Sequence, residues 1–265
     1  MSEPVPEPGA IGASDRNRWI AADNAVELTR KNRPRPTLSV HAFPTAINID
    51  LSRTAMVIVD MQNDFCHTDG WLASIGVDVS AAQAPIPALA MALPHLRESG
   101  VAVVWLNRGT RQDRANLPPN VIHVFDPHGT GVGIGSTEPT GSLVLQFGSW
   151  GAAVVEELRA SPADRWVRKH RMSGFWDTDL DSVLRNLDVT TLLFAGVNAD
   201  QCVLATLIDA ACIDAACIGY DVIMLEDASA TTSPAFCWDA TVYNVRQCIG
   251  FTALLSDIVA AMVPA

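Results

Sequence analysis

From residue 54 onward, short apolar runs alternate with segments of helical periodicity. The runs at 55–59 (AMVIV), 101–106 (VAVVWL), 191–195 (TLLFA) and 221–225 (DVIML) are apolar throughout or nearly so. Strands covered on both faces of a parallel sheet have this pattern. A shorter strand is expected at 166–168. Helices are expected at 84–98, 150–159, 180–186 and 201–217. The alternation predicts an α/β domain with a doubly wound, mainly parallel sheet flanked by helices. Residues 107–149 are rich in Gly and Pro and too long for an ordinary connection, which marks a functional loop, either lid or interface. Residues 1–50 form an N-terminal extension that packs on the domain or on a neighbouring subunit. A helix is expected there at 17–30, ended by the RPRP of 33–36, and residues 51–265 make the domain.

Composition narrows the function classes. Of 265 residues, 49% are apolar and 18% charged, below the roughly 25% charged residues of typical soluble domains. Such a chain buries a large core and leaves surface suited to contact between subunits. Eighteen Lys and Arg against 29 Asp and Glu leave a net charge of −11. That balance opposes nucleic-acid binding, which draws its affinity from basic residues on phosphates. No apolar run approaches the roughly 18 residues of a membrane span, and MSEPVPEPGA has neither the basic start nor the apolar stretch of a secretion signal. The six cysteines form no CxxC pair and no Cys/His ligand spacing, so reduced thiols in a cytoplasmic protein are expected.

Ligands of open α/β sheets bind beyond the carboxyl ends of the strands. The first strand ends in Asp60, Lys169 follows the short strand, and Cys202 lies just beyond the 191–195 strand at a helix start. A thiol at a helix N-terminus faces the positive end of the helix dipole and free N–H groups, which favour thiolate and hold an oxyanion. Free cysteine is equally often a small buried apolar residue, so position alone leaves both readings of Cys202 open. Asp60 as a cap and Lys169 as part of a solvated RKHR patch are likewise open. Cys212, Cys217, Cys237 and Cys248 have no such placement and are read as structural.

Three motifs carry a family likeness: VIVDMQNDF at 57–65, RKHRMSGF at 168–175 and GVNADQCV at 196–203. With them the chain resembles the isochorismatase-like cysteine hydrolases from about residue 54 to its end. The resemblance implies a six-stranded parallel sheet, a catalytic triad of Asp60, Lys169 and Cys202, and a cis peptide between Val197 and Asn198. It places the Asn198 and Cys202 N–H groups in an oxyanion hole and implies a homo-oligomer, from dimer to tetramer. Asp60 would take the thiol proton, the thiolate would attack an amide or ureido carbonyl, and water would then release the acyl group. No metal and no organic cofactor is implied. Isochorismatases proper lack the nucleophilic cysteine. Nicotinamidases add a metal site of Asp and two His, which the six histidines here (His41, His67, His95, His123, His128 and His170) do not reproduce.

Two subgroups compete for the substrate, a small molecule in either case. The segment RMSGFWDTDLDSVLR at 171–185 resembles ureidoacrylate amidohydrolases. NRGTRQDRANLPPN at 107–120, GVGIG at 131–135 and Gln247 resemble biuret hydrolases, in which a glutamine binds substrate. A glutamine amide matches the alternating N–H and C=O edge of biuret or triuret. Biuret or triuret is therefore the leading expectation and ureidoacrylate the alternative, with a nicotinamidase-type amidase or a silent family member behind them. Arg108, Arg111 and Arg171 are candidate substrate contacts, although loop arginines such as Arg108 and Arg111 are more often solvated or bridge subunits. Phe65, Phe175 and Trp176 are candidate pocket walls.

Overall fold

The structure, a computed structural model, describes residues 9–11, 19–22, 25–27, 37–129, 131–139, 141–211 and 219–262. Three short strands, β1 (Ala10–Ile11), β2 (Trp19–Ala22) and β3 (Ala25–Glu27), pair antiparallel. Where the helix expected at 17–30 falls on described residues, at 19–22 and 25–27, strands stand instead. Trp19, Ile20 and Val26 are residues that favour extended backbone, and an Asp-Asn pair of the turn-forming kind separates the two pairing segments.

Next come β4 (Thr37–Val40), β5 (Ala42–Phe43) and β6 (Ile47–Asp50), with β4 and β6 joined as an antiparallel ribbon. The parallel strands follow: β7 (Thr54–Val59), β8 (Ala102–Arg108), β9 (Arg165–Lys169), β10 (Thr191–Gly196), β11 (Asp221–Ser229) and β12 (Phe251–Ala253). Their order across the sheet is β12-β11-β10-β7-β8-β9, and β5 adds a seventh, antiparallel strand beside β12. The helices are α1 (Asn63–Cys66), α2 (Trp71–Ser74), α3 (Ser80–Gln83), α4 (Ile86–Glu98), α5 (Pro119–Phe125), α6 (Leu180–Asn186), α7 (Leu204–Ala211), α8 (Ala235–Asn244) and α9 (Leu255–Met262).

Strand alternation divides the core into two layers. Met56 and Ile58 of β7 pack with Leu89, Leu93 and Leu96 of α4, while Ala55, Val57 and Val59 pack with Leu180 and Leu184 of α6 and Leu207 of α7. A sheet buried on both faces is the doubly wound arrangement expected. Residues 107–149 contain α5 and a third, smaller core, where Trp71 and Leu72 meet Leu117, Ile134, Val144 and Leu145.

The helix expected at 150–159 is absent. The segment runs through turns and a single 3-10 turn at Glu156–Leu158. Its carbonyls are taken by the 62–64 stretch: Asn63 donates from its side chain to Trp150 O (2.8 Å), Asp64 N–H to Gly151 O (2.9 Å), Gln62 Nε2 to Ala152 O (2.7 Å) and Asn63 N–H to Ala153 O (2.9 Å). Carbonyls turned toward a distant segment are drawn out of line for an i to i+4 ladder. The expected helix at 201–217 is a π-helical turn, Ala199–Val203, continued by α7, and residues 212–218, with Cys212 and Cys217, lie outside the described residues.

Candidate active site

The parallel strands reverse direction of winding between β7 and β10, the switch point at which such sheets bind ligands. Gly196 ends β10 there with φ +110, and a side chain on it would run into the Val59 backbone. Beyond it the Val197–Asn198 peptide is cis, as the family likeness implied. Asp60 follows β7 with φ 52, in the left-handed region that aspartate tolerates better than most residues.

Asp60 and Lys169 are both fully buried, and Lys169 Nζ lies 2.7 Å from Asp60 Oδ2. Asp60 Oδ1 accepts the Arg108 N–H at 3.0 Å, and the Gln62 side-chain oxygen accepts the same N–H at 2.8 Å. Cys202 lies in the π-helical turn, 6% exposed. Burial pushes its thiol up to about 11. Lys169 and Arg108 pull it down, while the charge on Asp60 and a hydrogen bond to that carboxylate push it further up. The three residues of the expected triad therefore share one buried cluster. Desolvation is the largest influence on the thiol, which stands beside its candidate base.

Arg108 departs from the reading of a solvated loop arginine. It ends β8 rather than starting the loop and is 4% exposed. One of its terminal nitrogens donates to His170 O at 3.3 Å, and its Nε has no partner. Arg111 is exposed and paired with Asp113 at 2.6 Å. Arg171 is exposed, 2.9 Å from Asp177, and lines a surface recess together with Met172 and Trp176. Phe65 is half-buried, edge-on to Trp71 and packed between two cores, and Phe175 stacks on Tyr220, so these two aromatics are packing residues.

Gln247 is exposed on the π-turn Val245–Ile249. Its neighbour Arg246 anchors that turn inward, to Thr252 Oγ1 at 2.8 Å and Glu226 Oε1 at 2.5 Å. Sequence reasoning passed over Gln62 and Asp64, whose signal was present as two further polar residues directly after a wholly buried strand. It also passed over Met172, whose sulfur lies 3.4 Å from Cys202 Sγ. Among the described residues, no group of three or more His, Cys, Asp or Glu is placed to hold a metal ion, and no helix is long and apolar enough to cross a membrane.

Comparison with known proteins gives the same picture. The model of the isochorismatase domain matches residues 54–256. The ureidoacrylate amidohydrolase RutB of Agrobacterium fabrum is 34% identical over 221 residues, covering 83% of this chain and 94% of its own. Among solved structures, a cysteine hydrolase from Pseudomonas syringae superposes with a TM-score of 0.66 at 24% identity, over 88% of this chain and 98% of its own. N-carbamoylsarcosine amidase from Thermoplasma acidophilum superposes with a TM-score of 0.56 at 26% identity, over 78% of this chain and 98% of its own. With the domain matched over most of its length and an Asp, a Lys and a Cys gathered at the switch point of its sheet, the chain belongs to the isochorismatase-like cysteine hydrolases.

Proposed function

We propose that the protein is an amidohydrolase of ureido acids, cleaving the terminal carbamoyl C–N bond of a small substrate that also bears a carboxylate, of the ureidoacrylate kind. The observation that carries this reading is the charge of the buried cluster. Asp60 is matched by Lys169, and Arg108 adds a second buried cation whose Nε has no partner. A buried guanidinium is costly unless an anion pairs with it, and its planar fork suits a carboxylate. Biuret and triuret are neutral and would leave that charge unmatched. Gln247, one of three features on which the expectation of biuret rested, is exposed. The names of the curated relatives point the same way.

In this reading Asp60 accepts the Cys202 proton as sulfur attacks the carbamoyl carbon, and Lys169 holds the carboxylate in place. The N–H groups of Asn198 and Cys202 receive the oxyanion. Asp60 returns the proton to the departing nitrogen, so ammonia leaves and an S-acyl enzyme remains. Water, deprotonated by Asp60, then attacks the acyl carbon. The thiol re-forms and the carbamate of the remaining amine is released.

Ammonia release from ureidoacrylate, biuret, triuret and nicotinamide tests the reading, with Cys202→Ser as the blank. Ureidoacrylate should be the best substrate. Arg108→Gln should lower kcat/KM on it by about 10- to 100-fold, the scale of one lost charge-assisted pair, and leave any slow turnover of biuret unchanged. Preference for biuret, abolished by Gln247→Ala, would overturn it.

A further inference from the structure

Beside the nucleophile lies a recess of about 640 Å³, open to solvent and lined by Arg171, Met172, Trp176, Ala205, Ile208 and Asp209, among others. Cys202, Ala205 and Asp209 are spaced three and four residues apart, so they follow one face of the helical segment outward from the site. The recess therefore leads toward the thiol, yet Cys202 is 6% exposed. What stands at its inner end is Met172, itself 40% exposed, with its sulfur 3.4 Å from Cys202 Sγ.

The backbone that carries Met172 is tied to the nucleophile's own turn. Gly174 N–H donates to Thr206 Oγ1 at 3.0 Å, and that hydroxyl donates to Cys202 O at 2.7 Å. On the outer side, Lys169 Nζ donates to Arg171 O at 3.5 Å and the Arg171 side chain pairs with Asp177. The main chain is thereby held at both sides of Met172. The side chain, 40% exposed, is unbranched and has three rotatable bonds.

We propose that Met172 is a side-chain gate over Cys202, closed in this structure, and that the recess is the vestibule through which the substrate reaches the thiol. The proposal rests on the reading of Cys202 as the nucleophile. It makes Met172 a determinant of substrate size, because the acyl group must fit in the space that the thioether vacates.

The test is alkylation of the full-length protein, read cysteine by cysteine by peptide mass spectrometry, with small iodoacetamide and bulkier N-ethylmaleimide. Exposed Cys248 serves as a control for reagent, and Cys66, buried in the opposite core layer, as a control for unfolding. A gate open about 10% of the time or less predicts that Met172→Ala speeds Cys202 labelling about tenfold or more, with Cys248 unchanged and Cys66 silent. Met172→Ile, similar in volume but stiff at χ1, should slow Cys202 labelling below the wild-type rate, more for the maleimide than for iodoacetamide. Opposite responses of the two variants support the gate. Labelling of Cys202 that is unchanged in both, or raised in both, overturns it. Should Cys66 become reactive in Met172→Ala, the Ile variant decides alone: slower labelling supports the gate, and unchanged or faster labelling overturns it. A wild-type protein that hydrolyses no ureido compound while labelling in this pattern would sink the proposed function and leave the gate standing.

Discussion

Cys202 combines two demands that pull against each other. Burial pushes its thiol up to about 11, while Lys169 and Arg108 pull it down and Asp60, the base of the proposed reaction, stands beside it. Reactivity should accordingly depend on the base next to the thiol and not on a standing thiolate. Cys202→Ser is expected to retain the melting temperature within a degree or two and to lose all measurable ammonia release. The alcohol is a far weaker acid than the thiol it replaces, and Asp60 is a weak base for it. Retained turnover in the serine variant would remove Cys202 from the chemistry. Asp60 and Cys202 were legible because each stands just beyond a wholly buried strand and within a motif, whereas Lys169, the last residue of the half-exposed β9, was legible through its motif alone. Arg108 was misjudged because its place in the chain, at the boundary between a strand and a Gly-rich loop, does not say whether the guanidinium turns in or out. Only the burial of β8 to its last residue answers that.

At the scale of elements, the stretch after β7 works as a knot rather than as a helix with a function of its own. Asp64 is fully buried, and its carboxylate accepts the Leu145 N–H at 2.6 Å and the Trp71 N–H at 3.3 Å. Gly151 packs so close to this carboxylate that a side chain there would collide with it. Gly151→Ala should therefore push the 150–158 segment away from the knot, lowering both activity and melting temperature. An unchanged melting curve would contradict this contact. Burial raises the Asp64 pKa to about 6, opposed by the Leu145 N–H and helped by the charge of Glu138. Its folded value lies above its unfolded one, so its contribution to stability is fullest in acid and is lost as pH rises through about 6. Asp64→Asn stays neutral across that window, so its destabilisation relative to wild type should shrink between about pH 4 and pH 7 in thermal melts. A constant difference would show that the group does not titrate there. The same knot explains which elements escaped the sequence. Strands β7, β8, β10 and β11 announce themselves by composition, whereas 150–159 looks helical and is held in turns by partners some 90 residues away. Strand β12 is too short to show a period at all.

The whole molecule is arranged so that its site depends on the sheet's central seam. Strands β7 and β10 lie side by side in register from Thr54–Thr191 to Val59–Gly196, and Asp60 and Cys202 are set by where those two strands stop. Stability far from the site should thus be felt there only through the sheet, and the test case is the chain before β7. Leu38, Val40, Ala42 and Ile49 are buried in the same core layer as α4 and α9, and β5 hydrogen-bonds to β12 at the sheet's edge. Residues 37–50 therefore pack on the domain itself. Each of Leu38, Val40 and Ile49 contributes about 1.5–3 kcal/mol by leaving water, together a large share of the roughly 5–15 kcal/mol that holds a typical domain folded. A chain begun at residue 51 should consequently melt many degrees lower or fail to fold, whereas Leu38→Ala alone should cost about 2–4 kcal/mol by the cavity it leaves. Denaturant unfolding of both, followed by tryptophan fluorescence, measures this. If the shortened chain unfolds with the midpoint of the full one, the ribbon is an ornament on the domain and the core closes without it.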